Sequence, residues 1–388
     1  MFYRLSSVIK GYAWGAPGAI SSFLGQPASP SPEAELWFGD HPVSGSTLEV
    51  DGEAKDLGVW LSESQRSFPL LVKLLAASRP LSIQVHPGAQ QARQGFEKEE
   101  ARGITRDADS RIYKDSSAKP ELIVALSDTF LALVGFVSPD VVSDRLNRWH
   151  EAGLESTAVE LLIQQNAGST KAFAEWVLGG GSDVEDCVER LATWAREEKS
   201  SPHNGATTQE KHLLRLLCEA HPRDSGVIFG LLMHHVRLDT GEALFVDAGE
   251  VHAYVEGFGL EVMLPSDNVV RAGLTAKHRD VEEFLALAKL DPVPGPTRVV
   301  PAVENSTSRY QDFPAPFVVT RIVGDVLYHL DGRDAILVIE SGVGRLSGFE
   351  GACEVRQGDV LYGTSEDGQL TLAGHAVAWV VQPRDSPA

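Results

Sequence analysis

At 388 residues the chain exceeds one average domain, and two or three are expected. The 54 acidic against 34 basic residues give a formal charge of −20, which excludes the broad basic face that nucleic-acid or anionic-membrane binding needs, though not a small anion held by local cations. Cys187, Cys218 and Cys353 fit neither a disulfide framework nor a zinc-thiolate pattern, no secretory leader follows Met1, and no run nears ~18 apolar residues, so a cytoplasmic protein is expected.

Residues 1–136 read as short strands and turns, with Glu35 to Pro42 and Leu70 to Leu75 the clearest runs. In Ser82-Ile83-Gln84-Val85-His86-Pro87, strand alternation puts Ser82, Gln84 and His86 on one face and turns Val85 towards a core. Gln90 to Arg102, rich in Gln, Glu, Lys and Ala, predicts a short helix. Lys119-Pro120-Glu121 then leads into an apolar strand, Leu122 to Leu126.

Ser138-Pro139-Asp140 has the form of an N-cap with proline at the first helical position. From there to about Ala220 the apolar spacing is helical, over Leu154–Gln165, Ala172–Leu178 and Val184–Glu198, with Gly179 to Ser182 a helix stop and Ser200 to Thr208 a polar loop. Strands are expected to resume at Val227 and run past Val262. Asp267 to Gly273 reads as a loop, Asp280 to Leu287 as a helix and Pro292 to Pro296 as a linker. Residues 297–388 are β in pattern, most clearly at Ala335–Glu340, Asp359–Tyr362 and Val377–Val381. Gly342-Val343-Gly344 is a turn rather than a dinucleotide fingerprint, because no helix follows it. Gly241-Glu242-Ala243-Leu244-Phe245 and Gly358-Asp359-Val360-Leu361-Tyr362 enter strands in the same way, which implies a duplicated barrel. The first copy leads to His252 and the second to no histidine.

Gln84, His86, Glu121 and His252 make an N/O ligand set for one divalent metal, each carried on a strand. Gly241, Asp247, Gly249 and His252 stand at the spacing of the second cupin motif, with Asp in place of its Pro, and Gln84-x-His86 followed by Glu121 resembles the first. His234-His235 is no second metal pair, since adjacent strand residues face opposite ways. His41 reads equally as a packed turn residue or a substrate contact, and Trp14 and Trp37 as core or pocket wall.

Nearly the whole chain resembles the type I mannose-6-phosphate isomerases. The resemblance rests on Tyr12 to Gly15, Ala34 to Pro42, Leu81 to Pro87, Lys119-Pro120-Glu121 and, most specifically, Ser266 to Thr275. It implies two cupin-type (jelly-roll) β-barrels in a mainly β chain. The catalytic barrel would come from 1–137 and 225–290, an α-helical insertion from 138–224, and a barrel without metal from 297–388. It further implies one zinc on Gln84, His86, Glu121 and His252, an essential Arg271, and active-site groups at Lys73, Ser82, Lys119, Tyr254, Glu261, Asp267 and Lys277. The family's usual Asn-His before Lys-Pro-Glu is Ser117-Ala118 here, which removes any role for a histidine at that place.

The implied reaction is aldose–ketose exchange between mannose 6-phosphate and fructose 6-phosphate, in mannose and GDP-mannose metabolism. A dication with two imidazoles, one amide and one carboxylate keeps a charge of about +1, suited to an enediolate. Arg271 offers a planar donor fork for phosphate or paired oxygens. Glu261 is the first candidate for the transferring base and Lys119 the second. The rival readings are a cupin oxygenase, which Gln84 argues against because three histidines are wanted, and a sugar-phosphate-binding protein without turnover. A monomer is expected, with a dimer the alternative, and zinc is expected ahead of manganese, iron or cobalt.

Overall fold

The computed structural model describes residues 1–197 and 205–384, and it is mainly β. Among the described residues the strands form three sheets. The first is organised around one long strand, His252–Met263. Its first half pairs with Ile83–Val85 and Phe130–Phe136, and its second half with Leu71–Ala77 and Glu121–Ala125. The register shifts between Tyr254 and Glu256, and Gly257 follows with φ 135°. A Cβ there would sit 2.8 Å from the Phe130 Cα, so only glycine lets the strand turn from one set of partners to the other.

Val270–Gly273 pairs with Ile83–Val85 on one side of this sheet, and Ala243–Val246 pairs with Glu121–Ala125 on the other. Asp267 to Gly273 is therefore not all loop. The ladder to Ile83–Val85 overrides a local composition of Asp, Asn and Gly.

A nine-stranded sheet is built from the last part of the chain, including Phe317–Val323, Ala335–Ser341, Val360–Gly363 and Val377–Pro383. It also takes in Phe2–Ser6, which pairs with Val360–Gly363, and Thr47–Val50 beyond it. The third sheet has four strands, Val326–His329, Gln369–Gly374, Val343–Gly348 and Gly351–Arg356. Gly241 and Gly358 both turn left-handed, at φ 83° and 85°, before their strands, as their matching sequences suggest.

Helices at Pro139–Glu151, Ser156–Asn166, Thr170–Gly179, Ser182–Arg196 and Gly205–Ala220 form the helical block. Ser138 caps the first by accepting from the Val141 N–H, and Gly180 (φ 70°) and Gly181 (φ 114°) separate the third and fourth. The expected loop Ser200 to Thr208 lies partly outside the described residues, and from Gly205 it is helix. Val227 does not begin a strand. Gly226–Phe229 and Gly230–Leu232 are helical turns, tied down where Asp224 Oδ1 accepts from the Gly226 N–H at 2.7 Å, and strand begins at Met233. A short, wholly buried apolar run carries no period to tell helix from strand. The helices Ala19–Phe23 and Leu57–Glu63 also lie inside the region read as strands and turns, the second capped by Asp56.

Trp149, Phe173 and Trp194 of the helical block share one apolar core with Ile83, Val85 and Val270. The face of Ile83–Val85 opposite Gln84 is thus buried in that core, with the helix Val281–Leu287 against the strand, and this fixes Gln84 from behind.

Candidate metal centre and cavity

Antiparallel register places the polar side chains side by side. Gln84 lies opposite His252 on one neighbour and opposite Arg271 on the other. Lys73 lies opposite Glu261 on one side and Trp37 on the other. Residues opposite one another in a sheet point to the same face, so these rows converge on one hollow.

At its floor the ligand atoms of His86, Glu121 and His252 lie within 4.8 Å of one another, all buried. His86 Nε2 is 3.3 Å from Glu121 Oε1, and His252 Nε2 is 3.3 Å from Glu121 Oε2. The Gln84 amide nitrogen lies 3.3 Å from His252 Nε2, and a half-turn of that amide presents Oε1 at the same place. Both histidines are oriented from behind. His86 Nδ1 donates to the Asn268 carbonyl at 2.7 Å, and His252 Nδ1 donates to the Glu250 carbonyl at 3.1 Å. Each ring is then the tautomer whose Nε2 lone pair faces Glu121. His86 Nε2 and Glu121 Oε2 are buried without a hydrogen-bond partner, which is costly unless a cation takes their lone pairs.

The electrostatics suit a cation. Burial, then the charge of Lys119, lowers the His86 pKa to about 4, so the ring stays neutral. Burial alone would raise the Glu121 carboxyl, but Lys119, 2.9 Å away, and His86 outweigh it and hold the group well below its ordinary range. A neutral imidazole and an ionised carboxylate are the forms a metal takes.

Above this floor is a cavity of about 660 Å³. Lys73, Ser82, Lys119, Tyr254, Glu261, Asp267, Arg271 and Lys277 all line it, as do Gln84 and Glu121. Trp14 and Trp37 form part of its wall. Lys73 Nζ is 3.4 Å from Glu261 and 3.6 Å from Glu35, over the Trp37 ring. Burial opposes the Lys73 charge, yet Glu35 and Glu261 more than offset this and hold it above the ordinary lysine value. Burial raises the Glu261 carboxyl to about 7 against the pull of Lys73. Burial likewise keeps the Tyr254 phenol protonated, reinforced by the charge of Glu261. Arg271 is lowered by burial, and no charge among the described residues offsets it. Lys277 is lowered by partial burial and then by the charges of Arg271 and Lys114, with Glu35 pulling the other way, so three cations face one region of the cavity.

His41 is a packed residue in contact with the site. Its ring meets Trp37 edge-on at 4.8 Å, and its Nε2 is 3.5 Å from Asp267. His234 and His235 line a separate cavity of about 890 Å³, facing the carbonyls of Val293 and Gly230. Sequence reasoning missed Lys114, Glu35 and Asp115. None stands at a motif spacing, and each reaches the site only through strand pairing or a loop crossing.

The fold and site together define a metal-dependent enzyme built on β-sheet. The family model "Phosphomannose isomerase type I, catalytic domain" matches residues 2–138. The mannose-6-phosphate isomerase of Salmonella typhimurium is 35% identical over 337 residues, covering 81% of each chain. The chain belongs to the type I mannose-6-phosphate isomerase family. The mannose-6-phosphate isomerase of Rattus norvegicus is 30% identical over 418 residues, covering 95% of each chain. A zinc-bound crystal structure of mannose 6-phosphate isomerase superposes with a TM-score of 0.85 at 29% identity, over 99% of this chain and 100% of that one.

Proposed function

We propose that this chain is a zinc-dependent mannose-6-phosphate isomerase, interconverting mannose 6-phosphate and fructose 6-phosphate. The observation that carries this reading is the pair of backbone-anchored histidines whose Nε2 atoms flank the buried Glu121. Gln84, His86, Glu121 and His252 would hold the zinc, and bound there it would supply Lewis-acid polarisation for charge developing on the substrate's oxygens.

The protein's own groups do the rest. The reaction moves one proton between C2 and C1 while the hydroxyl and carbonyl exchange places. Glu261 is the transferring base. Its carboxyl is raised towards neutrality, and its orientation is set by Lys73 at 3.4 Å. Lys119 is the weaker candidate, because its ammonium is engaged with Glu121 at 2.9 Å. Arg271 beside Gln84 presents a donor fork to the substrate's oxygens, and Lys277 with Lys114 meets its phosphate. Lys73, Ser82, Tyr254 and Asp267 line the substrate's path.

We propose a catalytic cupin barrel drawn from 1–137 with 225–290, a helical insertion at 138–224 and a second barrel without metal from 297–388, with Phe2–Ser6 and Thr47–Val50 joining the last sheet and Thr297–Val299 the first. The paired left-handed turns at Gly241 and Gly358 support the duplication. The enzyme acts as a cytoplasmic monomer in mannose metabolism. The charge of −20 supports the absence of nucleic-acid partners, and no helix among the described residues is long and apolar enough to cross a membrane. A coupled assay for fructose 6-phosphate, with chelator and then with zinc restored, tests the reading. Activity that survives full metal removal would overturn it.

A further inference from the structure

The backbone carbonyl that orients His86 belongs to Asn268, whose own side chain is fully buried and fully engaged. Asn268 Oδ1 accepts from the backbone N–H of Lys114 at 2.7 Å and of Asp115 at 3.2 Å. Its Nδ2 donates to the Asp115 carbonyl at 2.8 Å and to the Ser117 carbonyl at 3.1 Å. Asp115 returns the embrace. Its carboxylate accepts from Ser266 Oγ at 2.9 Å, from the Asp267 N–H at 2.9 Å and from the Ser117 N–H at 2.9 Å. Two loops far apart in sequence are thereby locked face to face. One carries Lys114 and runs on to Lys119 and Glu121, and the other carries Asp267 and runs on to Arg271.

We infer that Asp115 and Asn268 form a positioning clasp that sets the His86 imidazole for metal ligation and carries Lys114 and Asp267 with it. Neither residue touches the metal. Asn268 acts through its main-chain oxygen, whose position its side chain fixes, and Asp115 acts through Asn268. A carbonyl left free to move lets the His86 ring rotate about its Cβ–Cγ bond, and Nε2 then leaves the point it shares with His252 and Glu121. The inference rests on the reading of His86 as a ligand.

The test is zinc affinity of the full-length protein, measured by competition with a chromophoric chelator, beside the melting temperature of the metal-free form. Asn268→Ala keeps the carbonyl but releases its anchorage, and is expected to weaken zinc by up to about 10- to 100-fold, the range for losing the orienting group outright. Asp115→Ala is expected to do the same, while Asp115→Asn, which keeps one acceptor oxygen, falls between it and the parent. A purely structural role would lower the melting temperature yet leave the folded protein's zinc affinity unchanged, and that result overturns the clasp. Should Asn268→Ala fail to fold, Asp115→Asn and Ser266→Ala carry the test, with parent-like affinity in both counting against it. His86→Ala separates the two ideas. If that variant binds zinc normally, the ligand set is wrong; if it loses zinc while the clasp variants keep it, only the clasp is wrong.

Discussion

Replacing Glu261 by glutamine is the most informative single change at this site. The amide keeps the shape and one acceptor oxygen for Lys73 but cannot take a proton from carbon. General-base groups contribute about 10²–10⁴ in rate, so kcat is expected to fall by that factor, equivalent to about 3–5 kcal/mol of transition-state stabilisation. The fold should survive, because Lys73 retains Glu35 at 3.6 Å and is not left as an unpaired buried cation. The sign of the pH dependence follows from the geometry. Burial raises the Glu261 carboxyl, so in the parent the base is lost by protonation as pH falls, at a pH above the ordinary carboxylate range and lowered somewhat by a bound zinc ion. The residual activity of Glu261→Gln should lack that acidic limb. The assay is kcat and kcat/KM for the coupled reaction from pH 5 to 9, with zinc per chain measured on each sample. Near-parent turnover, or an unchanged acidic limb in the variant, would remove Glu261 from the chemistry. Loss of zinc would show that it acts through the metal centre instead.

Three further outcomes are expected. His252→Ala removes one of two buried imidazoles and should lose bound zinc, read as metal per chain, with most of the activity; a zinc-replete variant would count against the ligand set. Arg271→Ala should keep zinc but lose about 10²–10³ in kcat, as removal of a donor to developing charge does, and normal turnover would place Arg271 outside the mechanism. Trp149→Ala should cost about 3–5 kcal/mol in denaturant unfolding, because that ring is 1% exposed in the core behind Gln84. A change below 1 kcal/mol would mean that this ring is not packed as the shared core implies.

The clustering of His86, Glu121 and His252 was legible in the sequence because these residues stand in or just beside strands. Alternation puts Gln84 and His86 on one face, cupin-like spacing adds His252, and Glu121 enters through the Lys119-Pro120-Glu121 lead into its strand. The caps and stops of the helical block were legible for a similar reason, since Ser138, Gly180 and Gly181 act on their immediate neighbours. What failed was local structure set by distant partners. Val270–Gly273 is a strand only because Ile83–Val85 lies beside it, and Gly226–Leu232 is helical only where Asp224 and the surrounding core hold it. The same limit hid Glu35, Lys114 and Asp115. The Lys73–Glu35 contact depends on strand pairing, and the Asn268 embrace depends on a loop crossing that no spacing encodes.

The pairing of Phe2–Ser6 with Val360–Gly363 has a consequence for how the molecule is made. Phe2–Ser6 has one neighbour nearby in sequence at Thr47–Val50 and must wait for the other until Val360–Gly363 has been synthesised. Leu5 and Leu36 meanwhile share a core with Phe317 and Trp379. A truncated chain ending at the proline-rich linker would leave that edge open and those side chains wet. The final segment therefore completes the partners of Phe2–Ser6, and a chain cut before it is expected to lose stability along with that pairing.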